Sequence, residues 1–441
     1  MNTHFSRFAL TLTALTHASA AMAACIPSNQ QVWTSAGRPT DMATADLNQD
    51  GVTDSITCNR DAGEITVRMS TPHGGEDVRD YEIPESFGSV PGPLGVATAD
   101  FDGDGWVDFA VVVGTYAPDN TLRIYLNEGG GSFSESAGLH RGVDSPMNLA
   151  AIDVDLDGHI DVISWSVEND EAVFNLNDGL GNFGSPEPLT EGTLPNPRGM
   201  SAGDINDDGF QDYIFATSGV QSVLVRLSNP AGEYSEFYMP VGGFPFDVQI
   251  ADFNGDGDLD AAIVIQDATT LNGSVRIFYG NGNGSFSPPS VHSIGDAPRA
   301  IELADMNGDG LVDLVAHSQY GAASYILAGL SAGGFASPCE YQLELGPGAE
   351  AQDMVVGDFN GDGQPDIGVP VRNLDKVVYI MLDASCLADL SGNQNVGFED
   401  LLIVLSSWGA CTGSCDADLD CDGAIGFGDV LRIISSWGSC Q

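Results

Sequence analysis

Nine residues, Asp252-Phe-Asn-Gly-Asp-Gly-Asp-Leu-Asp260, constrain this chain more than any other stretch. Side-chain oxygens stand at positions one, three, five and nine (Asp252, Asn254, Asp256 and Asp260), and Asp258 can offer its carbonyl at position seven. Gly257 at position six suits a sharp turn with φ > 0. A flexible loop of hard oxygens at this spacing is what calcium requires, and the missing nitrogen and sulfur ligands argue against zinc or copper.

Six further loops share the pattern. The first offers Asp46, Asn48, Asp50 and Asp54 with the Val52 carbonyl, and the second Asp100, Asp102, Asp104 and Asp108 with that of Trp106. Asp153, Asp155, Asp157 and Asp161 follow with His159, then Asp204, Asn206, Asp208 and Asp212 with Phe210. Beyond Asp252 come Asp305, Asn307, Asp309 and Asp313 with Leu311, and lastly Asp358, Asn360, Asp362 and Asp366 with Gln364. First-residue spacings of 54, 53, 51, 48, 53 and 53 define one repeat near fifty residues rather than independent domains.

Other landmarks keep this register. A proline lies seven residues before six of the loops (Pro39, Pro93, Pro146, Pro197, Pro245, Pro298), with Ala351 in the last. In copies two to six a Gly-rich turn ends in an aromatic, at Phe133, Phe183, Tyr234, Phe286 and Phe335. Each copy reads as four short strands, with the loop between the first and second. Seven such units predict an all-β, seven-bladed β-propeller, whose radial closure leaves only short edges. Copy seven stops at Cys386 without a fourth strand, and Gln31-Val-Trp-Thr34 precedes copy one without a blade of its own. The latter is expected to complete the seventh blade.

The loops and their period resemble FG-GAP/VCBS repeats, the family that builds the integrin α-subunit propeller. The resemblance spans roughly residues 30–385 and implies calcium in the loop between the first two strands of each blade. A structural rather than sensory ion is expected, because a strand–loop–strand unit has no bistable helix pair. Affinities of ~10⁻⁴–10⁻³ M are typical of extracellular modules.

Charge agrees with this reading. Lys and Arg number 14 against 63 Asp and Glu, a net −49, which excludes a binder of nucleic-acid backbones. With 42% hydrophobic residues the chain is too apolar for a disordered acidic coil. Ligand positions of the seven loops hold 23 carboxylates, so seven calcium ions (+14) would leave about −35.

Residues 1–24 read as a signal peptide, with Arg7, a short apolar run and Ala21-Met-Ala23 as cleavage site. The alternative is a lipobox, Met22-Ala-Ala-Cys25, with Cys25 acylated. No run is long enough to span a membrane. Export suits eight cysteines as disulfides. Cys25 and Cys58 are expected to tie the terminal segment to the first blade. Cys339 would join five tail cysteines (Cys386, Cys411, Cys415, Cys421, Cys440).

The propeller is thus assigned to residues 25–385 and a separate domain to 386–441. That tail holds two segments offset by 29 residues, each a twelve-residue loop followed by an apolar-striped helix. The first loop has Asp389, Ser391, Asn393 and Asp400, and the second Asp418, Asp420, Asp422, the Ala424 carbonyl and Asp429. Leu401, Val404, Leu405 and Trp408 form the first stripe. This duplication resembles a cysteine-rich type I dockerin, implying one or two further calcium ions and anchoring through a cohesin-like or other cell-envelope partner. Cellulosomal dockerins place small hydroxyl residues at positions ten and eleven. Phe398, Glu399, Phe427 and Gly428 stand there instead, so another surface partner, or a cap on the propeller, is an open alternative.

No nucleophile elbow, phosphate loop or zinc-protease motif is present. The expected function is a secreted or surface-anchored, non-catalytic scaffold for binding or adhesion to an extracellular protein or glycan. The alternative is a dockerin-bearing polysaccharide-degrading enzyme, a glycoside hydrolase or lyase. Convergence of non-loop carboxylates in an axial pocket would favour it, and Glu168, Asp170 and Glu171 are free candidates.

Overall fold

The computed structural model describes residues 28–71, 76–83, 92–114, 121–136, 142–190, 192–229, 231, 233–320, 322–331, 333–345, 348–382, 390–391, 395–410, 417, 419, 424–435 and 437–439. The signal segment, Cys25, the five tail cysteines and the ligand candidates Asp389, Asn393, Asp418, Asp420 and Asp422 lie outside the described residues.

Seven four-stranded antiparallel sheets make up residues 28–382. Blade 2 is typical, with strands Gly92–Ala99, Asp108–Gly114, Thr121–Asn127 and Phe133–Glu135. Second strands are the most buried elements. Asp212–Thr217 and Asp366–Val371 are buried at every residue, because both faces pack against other blades. Outermost strands such as Glu76–Glu82 are mostly exposed.

The core is a chain of seven clusters, each between adjacent blades. One of them packs Met42 of blade 1 against Val355, Phe359, Tyr379 and Met381 of blade 7. Ring closure is therefore a packed interface, and each fully buried large apolar side chain contributes about 1.5–3 kcal/mol. The terminal strand Ser28–Thr34 pairs antiparallel with Lys376–Leu382, from Ser28 opposite Leu382 to Thr34 opposite Lys376. The first residues of the propeller thereby complete its last blade.

The prolines stand where the innermost strands begin. A register shift follows Pro39, Pro93, Pro197, Pro245 and Pro298, because proline cannot donate to the ladder and the strand bulges beside it.

Cys58 departs from expectation. It is a free thiol with no exposed surface, not a partner of Cys25. Strand alternation turns it into the cluster between blades 1 and 2, and burial together with Asp41 and Asp353 pushes its thiol pKa well up. Cys339 is disulfide-bonded.

In the tail, helix α1 (Phe398–Ser406) and helix α2 (Phe427–Ser435) pack around Val396, Val404, Ile425 and Ile433. Both begin inside the twelve-residue loops, earlier than the apolar stripe implies. Asp400 explains this in α1, since its Oδ2 accepts the Gly397 amide at 2.7 Å in the first turn. The stripe is also split: Val404 is buried, whereas Leu405 and Trp408 are exposed.

Candidate functional site

All seven nine-residue loops adopt one geometry. At position six the glycine has φ between 85° and 96° in every copy, from Gly310 to Gly257. Position four is left-handed as well, at Gln49, Gly103, Leu156, Asp207, Gly255, Gly308 and Gly361. Sequence reasoning missed this second reversal, although glycine at four of the seven positions was its signal.

The loop side chains are held by backbone amides. In the fifth copy Asp252 Oδ2 accepts the Gly257 amide at 2.9 Å, and Asn254 Oδ1 accepts that of Asp256 at 2.8 Å. Asp256 Oδ1 accepts the Asp258 amide at 3.0 Å. Equivalent bonds recur in the other copies, for example Gly51 to Asp46, Asp309 to Asn307 and Gln364 to Asp362. Such Asx turns fix these side chains against the loop backbone.

Position nine has a second task. Asp260 is fully buried, and its two oxygens accept the amides of Phe253 at 2.9 Å and Gly280 at 2.7 Å. Asp54, Asp108, Asp161, Asp212, Asp313 and Asp366 do the same in their blades. Each thereby ties its loop to the residue just beyond or ending the third strand. A carboxylate oxygen has two lone pairs, so one remains on each for a cation.

The donor set fits a hard cation. Carboxylate oxygens of Asp100, Asp102 and Asp108 lie within 4.8 Å of one another, as do those of Asp153, Asp155 and Asp161. Burial pushes Asp260 up to about 6, Asp54 and Asp313 to about 7 and Asp366 to about 8, and neighbouring loop carboxylates add to the rise. Like charges held this close need neutralising.

The second concave feature is an axial cavity of about 1210 Å³. Its walls are the starts of the innermost strands and the connections beside them, including Ser145, Glu168, Arg60 and Arg372. It therefore opens on the face opposite the acidic loops. Six carboxyl groups line it: Asp41, Asp144, Glu168, Asp247, Glu302 and Asp353. Sequence reading named only Glu168 among them, though Asp41, Asp247 and Asp353 share a register, five residues before a loop. Those three knit blades together. Asp41 Oδ2 accepts the Val96 amide at 2.8 Å, Asp247 Oδ2 that of Ile301 at 3.0 Å, and Asp353 Oδ2 that of Met42 at 3.0 Å, each on the next blade.

Asp41 and Asp353 also hydrogen-bond to each other, which requires a shared proton. Burial and then the Asp353 charge raise Asp41 well above the carboxylate range. Burial likewise pushes Asp247 to about 7 and Glu302 to about 8. Of the free candidates, Glu168 lines the cavity, whereas Asp170 accepts the Asn196 amide at 2.7 Å.

Tail residues Asp400 and Asp429 are fully buried, as are the ninth-position aspartates. Asp400 accepts the Ser391 and Gly397 amides, and Asp429 those of Leu419 and Gly426. Equivalent positions in and just after the two helices leave Phe398 and Phe427, Leu402 and Leu431, Leu405 and Ile434, and Trp408 and Trp437 exposed.

Seven closed four-stranded blades with an acidic loop in each define a β-propeller built from sequence repeats. The FG-GAP-like repeat model matches residues 100–164, 153–215, 204–263, 252–316 and 305–369, more than half of the chain, which therefore belongs to this family. Among curated proteins it is similar to cartilage acidic protein 1 of Xenopus tropicalis, 24% identical over 274 residues, covering 54% of this chain and 42% of that one. It is also similar to phosphatidylinositol-glycan-specific phospholipase D of Rattus norvegicus, 28% identical over 235 residues, covering 45% and 28%. The chain thus spans less than half the length of either relative. Among solved structures, BBS1N in complex with ARL6DN superposes with a TM-score of 0.53 at 10% identity, over 81% of this chain and 96% of that one, which shows the fold. Among the described residues no helix is long and apolar enough to cross a membrane.

Proposed function

We propose that this protein is a calcium-clamped, non-catalytic binding propeller that works outside the cell and is held there by its tail. The observation that carries the reading is the shared geometry of the seven loops, each a set of oxygen-bearing side chains held by backbone amides. In blade 5, Asp252, Asn254, Asp256 and Asp260 with the Asp258 carbonyl would hold the ion, and the matching residues would do so elsewhere. Bound calcium would supply charge neutralisation and cross-link the first two strands of each blade. In the tail, Asp400 and Asp429 would serve the same end with Ser391 and the Ala424 carbonyl. Its duplicated exposed apolar face supports docking to an envelope partner, since such patches on a soluble module mark interaction surfaces.

Carboxylates converging on the axis favour a second reading, a polysaccharide-degrading enzyme. Their geometry weakens it. Asp41 and Asp353 are in hydrogen-bond contact, whereas glycosidase pairs stand ~5 Å or more apart. Asp41, Asp247 and Asp353 are also engaged by amides of neighbouring blades. Incubating the full-length protein with acidic and neutral polysaccharides in calcium tests both readings. Retention of a glycan or envelope protein without new reducing ends or unsaturated products supports the binding module. Turnover would replace it with the enzyme.

A further inference from the structure

The chain carries only 14 Lys and Arg, yet four arginines, Arg60, Arg198, Arg299 and Arg372, line the axial cavity. Several arginines are matched by acids, as in Arg68–Glu76, Arg123–Glu135 and Arg226–Glu236, and within the cavity Arg372 pairs with Glu350 at 3.1 Å. Arg198 and Arg299 have no carboxylate within 4.0 Å among the described residues. Instead both guanidinium groups face the Phe246 ring, at 5.8 and 3.9 Å from its centroid. Arg299 Nε donates to Gln319 at 2.8 Å and one Nη to the Pro298 carbonyl at 3.2 Å. Burial first, and then the charges of Arg198 and Arg372, lower the Arg299 pKa to about 10. In a protein of net charge −49, two mutually repelling guanidinium groups with no carboxylate within 4.0 Å among the described residues, held against an aromatic ring in a cavity wall, offer a site for an anion.

The deeper wall has the opposite character. The carboxyl groups of Asp41, Asp247, Glu302 and Asp353 accept hydrogen bonds when ionised and can also donate when protonated, so the inner end of a ligand must bring hydroxyl-like groups that do both. Their raised pKa values keep part of this wall protonated near neutral pH, which limits repulsion of an anion at the mouth. A volume of about 1210 Å³ exceeds that of a lone inorganic ion and matches a ligand the size of an oligosaccharide.

We propose that the axial cavity binds an acidic sugar, with its carboxylate or sulfate at Arg198 and Arg299 and its hydroxyls on the inner carboxyl groups. This rests on the reading of the propeller as a binding module and names the chemistry of its ligand.

The test is isothermal titration calorimetry on the full-length, calcium-loaded protein with four probes. These are a glucuronic-acid-terminated disaccharide, its neutral counterpart of the same linkage, a sulfated disaccharide and a peptide with a free C-terminal carboxylate. The glucuronate or the sulfated sugar should bind with a Kd tighter than ~1 mM and the neutral sugar should give no heat. Which acid binds distinguishes carboxylate from sulfate. Arg198→Gln and Arg299→Gln should each weaken binding about tenfold or more. Arg198→Lys and Arg299→Lys keep the charge but lose the fork, and should fall between. A melting temperature measured beside each titration separates lost folding from lost binding.

Absence of binding by both acidic sugars, equal binding of the neutral sugar, or unchanged affinity in well-folded glutamine variants would overturn the inference. So would binding of the peptide alone. In each case the calcium dependence of the melt would still stand or fall separately, so failure here is distinguishable from failure of the propeller reading.

Discussion

Replacing Asp260 by alanine removes a fully buried carboxylate whose two oxygens accept the Phe253 and Gly280 amides at 2.9 and 2.7 Å. A buried donor left unpaired costs about 1–3 kcal/mol, so two of them predict about 2–6 kcal/mol. With an unfolding entropy of ~2.1 cal/mol/K per residue, a propeller of ~350 residues loses about 3–8 °C in melting temperature. Most of this loss is independent of metal and persists in EGTA. Asn254→Ala should behave differently. Its Oδ1 accepts only the exposed Asp256 amide, so its cost in EGTA is small. In 10 mM calcium the variant loses the linkage energy of one loop, about 1.4–2.7 kcal/mol for a Kd of ~10⁻³–10⁻⁴ M. Thermal melts of the parent and both variants, with calcium and with EGTA, measure all the terms. An Asp260→Ala variant as stable as the parent in EGTA would refute the backbone-anchoring role. An Asn254→Ala variant equally costly in both buffers would refute the ion-clamping role.

Deleting residues 28–34 should strip Lys376–Leu382 of its partner, expose an edge strand and lower the melting temperature with aggregation, seen by scattering during the melt. Glu302 has its pKa raised to about 8, so the folded state keeps a proton that the unfolded chain releases above about pH 4. Stability is therefore lost as pH rises from about 4 to 8, at about 1.4 kcal/mol per pH unit, and Glu302→Gln should gain about 5 kcal/mol over the parent at pH 9 but little at pH 4, read from denaturant midpoints. Serine at Phe398 and Phe427 together should leave the tail folded, because both are exposed, while lowering retention of the full-length protein on envelope material.

The blades were legible because the loops repeat at one period, and Gly257 with its counterparts marks the turn by residue type alone. Strand exchange was legible as arithmetic: copy seven lacks a strand and Gln31–Thr34 lacks a blade. The axial cavity was not. Asp41, Asp247 and Asp353 are single residues in different repeats, and only ring closure brings them together. Arg198 and Arg299 lack a motif for the same reason. Cys58 was misjudged because counting cysteines ignores strand alternation, which turns this side chain into the core. In the tail, periodicity marked an apolar stripe but not which part of it packs: Val404 is buried, and Leu405 and Trp408 lie exposed.

Calcium-dependent stability tests the central claim most directly. Seven loops at about 1.4–2.7 kcal/mol each give an upper bound near 10–19 kcal/mol in 10 mM calcium, or ~13–26 °C on the entropy used above. Melts of the full-length protein in calcium and in EGTA, with bound calcium counted by equilibrium dialysis, should show a rise of about 10 °C or more and roughly seven ions in the propeller plus one or two in the tail. An unchanged melting temperature on chelation would contradict the account.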